Sequence, residues 1–196
     1  MATALKSPTR TIGPGDAGRA VTADEYREAE FAEGFRYERV RGRLVVMAPA
    51  GNEHTCTSRP FRRLLGGYWG DHPDRVDDVD VKGWLATSPD DDRLPDICVY
   101  LAGESSEIRI PERVPELIFE FVSGNRADQE RDYIHKRAEY HAVGVREYVI
   151  VDRFKQQALV LTWNRDDYAE HVLDATDEYT TPLLPGLKVG LEEAFR

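Results

Sequence analysis

Two carboxylates stand where strands are expected to run. Glu120 lies inside PELIFEFVSGN, residues 115–125, bracketed by Phe119, Phe121 and Val122; Asp96 lies in RLPDICVY, after Pro95 and before Ile97, Cys98 and Val99. An ionised carboxylate removed from water is costly unless it is paired, hydrogen-bonded or metal-bound. If both face inward from neighbouring strands, they repel unless a cation lies between them. Oxygen donors without Cys or clustered His favour Mg²⁺ or Mn²⁺. Other readings stay open: Asp96 as a solvated residue closing a turn, and Glu120 in a salt bridge to Arg126 or Arg137.

Lys136 is the third chemical oddity. In a helix predicted over 126–143, Tyr133, Lys136, Tyr140 and Val143 follow helical spacing and form one stripe, so a lysine interrupts an otherwise apolar and aromatic face. It could snorkel, with its stem packed and its ammonium in water, or pair at the surface with Asp132 four residues earlier. Alternatively it reaches the carboxylates, where an ammonium would orient water or offset charge developing on a phosphate. Glu38, between Tyr37 and Arg39, could be solvent-facing or part of a site. His54, in APAGNEHT, is expected at a loop-to-helix start, where capping or exposure is the plainer role.

The elements that must position these groups follow from local pattern. TADEYREAE opens a helix with Thr22 as N-cap and Glu25 three residues on. FRYERV and RLVVMAP flank Arg41-Gly42 as a hairpin. A helix is expected through RPFRRLLGGYW, and strands at RVDDVDV, LPDICVYL, PELIFEFVS and VREYVIVD. QQALVLTW and DYAEHVLD are expected to form a closing hairpin or meander, and TPLLPGLKVGLEEAF a terminal cover. Apolar residues at both parities in ICVYL and LIFEFV imply a sheet covered on both faces, hence an α/β fold with a mixed central sheet flanked by helices. Strand, helix 126–143 and strand 145–151 suggest a right-handed crossover. Residues 1–20 read as a flexible tail and 21–196 as a single domain.

Composition narrows the function. The 196 residues carry 26 basic and 36 acidic side chains, a formal charge of −10, which argues against a partner held by a global positive field. The charge is uneven: residues 71–92 hold eight aspartates against Arg75 and Lys82, while EHTCTSRPFRRLL offers Arg59, Arg62 and Arg63 against Glu53. Cys56 and Cys98 lie outside any CxxC or Cys/His cluster, so neither zinc nor a disulfide framework is expected. The absence of a long apolar run leads to the expectation of a soluble cytoplasmic protein without a membrane partner.

Taken in order, YERVRGRLVVMAP with a following histidine, LPDICVY, VPELIFEFVS, the pattern D-x-x-x-K-x-x-x-Y (Asp132, Lys136, Tyr140) and GVREYVIVD resemble the Uma2 family, also called DUF820. These are restriction-endonuclease-like proteins of the PD-(D/E)xK nuclease superfamily, and the resemblance covers about residues 20–195. It implies a restriction-endonuclease-like core with an added N-terminal hairpin and C-terminal strands. Asp96 and Glu120 would be metal ligands, with the backbone carbonyl of Phe121 as another. Lys136 would be the superfamily lysine, displaced to the helix from position 122, which here is Val122. Glu38 would complete the metal site directly or through water. His54 matches a histidine that follows the hairpin, and Tyr140 and Asp132 are accessory or substrate-binding candidates. The chain departs from the family with Ser123-Gly124-Asn125 in place of Ser-Pro and with Val149 in place of Trp.

The activity so implied is Mg²⁺-dependent endonucleolytic hydrolysis of nucleic acid, DNA foremost, leaving 5′-phosphate ends, with a homodimer as the analogous assembly. The alternative is a catalytically inactive nuclease fold that binds nucleic acid or a protein; the charge of −10 favours it modestly.

Overall fold

The computed structural model describes residues 11–49, 51–124 and 129–196. The chain divides into two compact units: one runs to Pro49 and takes in Ala86–Leu94, and the other takes the stretch up to Leu85 and Pro95–Arg196.

The first unit is built on the expected hairpin. β1 (Thr11–Ile12) pairs in parallel with β2 (Glu30–Phe31), and Gly18 N donates to the Leu44 carbonyl at 2.8 Å. Within the expected tail, residues 11–20 are held by these contacts and Ile12 is buried, while residues 1–10 lie outside the described residues. α1 (Ala23–Arg27) starts at a capping box in which Thr22 Oγ1 accepts from Glu25 N and the Glu25 carboxylate accepts from Thr22 N. β3 (Arg36–Val40) and β4 (Arg43–Met47) turn through Arg41 and Gly42, with φ of 50° and 68°. Left-handed values at both positions define the turn that matches strand twist, and glycine adopts one of them without strain.

After β5 (Val76–Val81) in the second unit, the chain returns as β6 (Leu85–Ser88) and β7 (Asp91–Arg93), giving the order β4-β3-β7-β6. The acidic run SPDDD thus becomes a turn and a strand. Asp91 Oδ1 accepts from Arg41 N at 2.7 Å and the Asp90 carbonyl from Gly42 N at 2.8 Å.

The second unit carries β8 (Ile97–Leu101), β9 (Leu117–Phe121), β10 (Glu147–Asp152), β11 (Gln157–Thr162) and β12 (Ala169–Asp174) in a sheet of order β12-β11-β10-β9-β8-β5. Only β9 and β10 run parallel in it, so the sheet is mixed, as expected. α2 (Asn52–Asp71) starts before the segment RPFRRLLGGYW, 59–69, where the sequence led a helix to be expected, and it passes through Pro60. The lost backbone bond there is offset by burial of Phe61 and Leu65 against Phe119 and Phe121. The opposite face of the sheet is covered by a π-helical segment, Arg131–Lys136, that runs into α3 (Arg137–Val143). α3 ends at Gly144 with φ 90°, as its sequence implied; the expected helix start at 126 lies outside the described residues. β13 (Glu178–Tyr179), β14 (Val189–Gly190) and α4 (Leu191–Phe195) close the α2 side, where Tyr179, Val189 and Leu191 join the core. Among the described residues, no helix is long and apolar enough to cross a membrane.

Candidate active site

Strand alternation decides where Glu120 points. Leu117, Phe119 and Phe121 pack toward α2, while Ile118 and Val122 join the cluster that contains Tyr140 and Tyr148. Glu120 shares the parity of the second set and is buried among it, 3% exposed. The antiparallel pairing of Ile97 with Phe119 places Asp96, one residue ahead of β8, across from Glu120. Asp96 is buried rather than solvated. Its Oδ2 accepts from Phe121 N at 3.0 Å and lies 3.0 Å from Nε2 of His54. His54 occupies the first turn of α2, its ring edge-on to Phe121 at 5.6 Å. The fold therefore brings it beside Asp96, although its sequence context favoured capping or exposure. The backbone behind Asp96 is fixed as well, since Lys82 N donates to its carbonyl at 3.0 Å. A Cβ at the following Gly83 would fall 2.3 Å from Cys98 Sγ, so only glycine fits that approach.

Lys136 does not snorkel. Its ammonium is buried, 2.7 Å from Glu120 Oε1 and 3.4 Å from Asp132 Oδ1. Tyr140 donates its hydroxyl to the same Glu120 oxygen at 3.0 Å. Asp132 is equally buried, which corrects its reading as a surface partner; its carbonyl accepts from the Tyr148 hydroxyl at 3.0 Å. The expected stripe of Tyr133, Lys136, Tyr140 and Val143 does face the sheet, and Asp132 joins it on the π-helical segment, a geometry that recurs at functional sites. Of the two arginines considered for Glu120, Arg137 pairs instead with Asp167 and Glu170, and Arg126 lies outside the described residues.

Burial pushes the Glu120 carboxyl well above the usual carboxylate range. The Lys136 ammonium pulls it back, while Asp96 and Asp132 push it further up. The crowding of carboxylates thus acts on a single buried group.

Glu38 lies in the first unit and is fully buried rather than solvent-facing. Its Oε2 accepts from Arg93 Nη1 at 3.0 Å and its Oε1 from Leu94 N at 3.1 Å. Beside it, Arg39 Nε pairs with Asp92 Oδ2 at 2.7 Å. No sequence signal marked these arginines, because Glu38 and Arg39 are consecutive in a strand and would ordinarily alternate between core and water.

The donors at Asp96 and Glu120 fit a hard divalent cation. Both supply oxygen only. Among the described residues, no three His, Cys, Asp or Glu side chains converge as a ready metal cage. Mg²⁺ commonly takes one or two carboxylates and keeps several waters, so a pair with a neighbouring carbonyl suits it better than it would suit Zn²⁺.

A mixed sheet with helices on its faces and paired carboxylates at adjacent strands beside a lysine is the arrangement of a nuclease-like α/β protein. The chain belongs to the Uma2 family, described as "Putative restriction endonuclease", whose profile matches residues 23–192. Among solved structures it is similar to the crystal structure of "a putative nuclease belonging to DUF820" from Anabaena variabilis ATCC 29413. That match has a TM-score of 0.68 at 14% identity, covering 89% of this chain and 97% of the other. No curated protein matches the chain. Family and fold together support a nuclease.

Proposed function

We propose that this chain is a Mg²⁺-dependent endonuclease that hydrolyses phosphodiester bonds in DNA. The observation that carries the reading is the buried Lys136–Glu120 pair at 2.7 Å, set beside Asp96 and Asp132, in which carboxylates outnumber ammonium groups. Asp96, Glu120 and the carbonyl of Phe121 would hold the cation, with Mn²⁺ able to substitute. A bound cation would act as a Lewis acid toward the phosphate and lower the pKa of its water.

The chain's own groups have distinct tasks. Lys136 brings a fixed positive charge to the place where phosphate charge grows, and Glu120 and Asp132 hold its ammonium there. Tyr140 fixes Glu120 through its hydroxyl, and His54 and Phe121 N–H fix Asp96. Hydrolysis forms one bond from the water oxygen to phosphorus and breaks the bond from phosphorus to the 3′ oxygen. One water proton passes to the departing 3′ oxygen, leaving a 3′ hydroxyl and a 5′ phosphate. Cutting both strands of a duplex would require two such sites, which a two-fold dimer presents.

The test is cleavage of plasmid and single-stranded DNA by wild type, Asp96→Asn and Lys136→Met from matched preparations, with Mg²⁺ or Mn²⁺. Each variant is expected to lose on the order of 10²–10³ in rate. Equal cleavage by all three would assign the activity elsewhere. Cleavage by none, across a broad substrate panel, would favour an inactive nuclease fold that binds nucleic acid or a protein.

A further inference from the structure

The basic segment of α2 that the site does not use lines a groove in the second unit. This cavity, about 580 Å³, is bounded by Asn52, Glu53, Cys56, Arg59, Arg153, Phe154 and the α4 end of the chain. Its acidic walls are largely matched by arginines: Glu53 pairs with Arg153, and Glu193 with Arg63 at 2.8 Å. Arg59 has a different setting. It is exposed and donates only to Cys56 Sγ, at 3.9 Å, so among the described residues no carboxylate offsets it. Phe154 is 51% exposed, with the Arg153 guanidinium 4.3 Å from its ring centroid. An exposed phenyl ring beside one guanidinium, in a groove lined by a second, is a combination that can stack a base and hold the adjoining phosphates.

The groove is also tied to the carboxylate site. His54, which bonds Asp96, is in the same helical turn as Asn52, Glu53 and Cys56, which line the groove. Phe154 is equally anchored to the end of β9: a Cβ at Gly124, three residues after Phe121, would meet its ring at 3.3 Å. Gly124 is where the chain departs from the family's Ser-Pro, and glycine keeps the ring's approach open. The ion pair between Arg153 and Glu53 is no barrier to a phosphate, because Glu53 is 73% exposed and exposed pairs contribute little.

We infer that this groove is a binding track for single-stranded nucleic acid, with a base stacked on Phe154 and phosphates held by Arg59 and Arg153, leading to the Asp96–Glu120 site. The inference deepens the nuclease reading and rests on it for the direction of the track. It also meets the difficulty posed by a chain of charge −10, since the contacts required are local.

The test is binding of a fluorescently labelled oligothymidine and of a blunt duplex to the full chain, by anisotropy, with Ca²⁺ in place of Mg²⁺ and again with EDTA. Phe154→Ala is expected to weaken single-strand binding roughly tenfold or more. Phe154→Leu, which keeps an apolar contact for Gly124, should lose as much, and Phe154→Trp should retain binding. Arg59→Gln with Arg153→Gln should lower the slope of log affinity against log salt by about 1.4 in magnitude. Duplex binding should change less than single-strand binding in every variant. Unchanged single-strand affinity in the Phe154 and arginine variants, or no single-strand binding by wild type, would overturn the inference. DNA cleavage with groove variants behaving as wild type would sink the track and spare the nuclease. Groove-dependent binding without cleavage would do the reverse.

Discussion

In the first unit, Glu38 and Asp92 face Arg93 and Arg39, two carboxylates against two guanidinium groups, all buried. In the second, Asp96, Glu120 and Asp132 are buried with Lys136, the Arg131 guanidinium lies 3.7 Å from Asp132, and His54 stands at the edge. Both clusters remove several charges from water, and each ion must then be compensated locally. The first does so with equal charges and rigid guanidinium geometry; Arg39 also donates to the Pro89 carbonyl at 2.8 Å. The second leaves an excess of carboxylates: burial raises the Glu120 pKa, and Asp96 and Asp132 raise it further against the pull of Lys136. A balanced cluster fastens strands together. An unbalanced one favours a proton on Glu120, or the cation proposed above.

The sharpest way to break this comparison is to unbalance the first cluster. Arg93→Met leaves Glu38 buried without its guanidinium and should cost about 3–5 kcal/mol of stability, read from urea unfolding. A loss under 1 kcal/mol would mean that the cluster is not the fastening described. Glu38→Gln keeps the shape while altering the charge. If it also lowers Mg²⁺ affinity, Glu38 contributes to the metal site as the family resemblance implied; if affinity is unchanged, its work is confined to Arg93 and Leu94.

The second cluster should respond to pH. From the ordinary carboxylate range up to about 8, the folded chain retains a proton on Glu120 that the unfolded chain has released. The folded state therefore binds more protons, and this group's contribution makes the metal-free protein less stable as pH rises through that window. Glu120→Gln should flatten that dependence, and unfolding midpoints at several pH values would report it. An unchanged dependence in the variant would place the titration elsewhere.

A smaller effect separates Glu120 from a structural salt bridge. At neutral pH without metal, Glu120→Gln should be as stable as wild type or more so, because a neutral amide avoids the burial cost that raises the Glu120 pKa while Lys136 keeps Asp132. Marked destabilisation would make the Glu120–Lys136 pair a fastening like that of Glu38. Tyr140→Phe should cost least, about 0.5–1.5 kcal/mol for one hydrogen bond to Glu120.

Legibility in the sequence followed the range of the interaction. The α1 cap, the Arg41-Gly42 turn and the end of α3 at Gly144 depend on residues within a few positions, and their signals were visible. Apolar residues at both parities announced the doubly covered sheet. The inward face of Glu120 was also readable, because apolar neighbours bracket it.

Partners were harder to read. Lys136 meets Glu120 only through the packing of a helix on a sheet, and His54 meets Asp96 across 42 positions. The buried Asp132 resembled a surface residue because its four-residue spacing from Lys136 also suits an exposed pair. The acidic run from Ser88 to Asp92 concealed a strand for a comparable reason: aspartate disfavours strands, and Arg39 supplies the compensation only once the sheet forms.

The most direct test of the central claim is calorimetric titration of Mg²⁺ and Mn²⁺ into wild type, Asp96→Asn and Arg93→Lys at neutral pH, each confirmed folded. The account expects one site in wild type, its loss or strong weakening in Asp96→Asn, and its retention in Arg93→Lys, where the first cluster keeps its charge. Binding of equal strength in wild type and Asp96→Asn, or none in folded wild type, would contradict the claim that the unbalanced cluster is built to hold a cation.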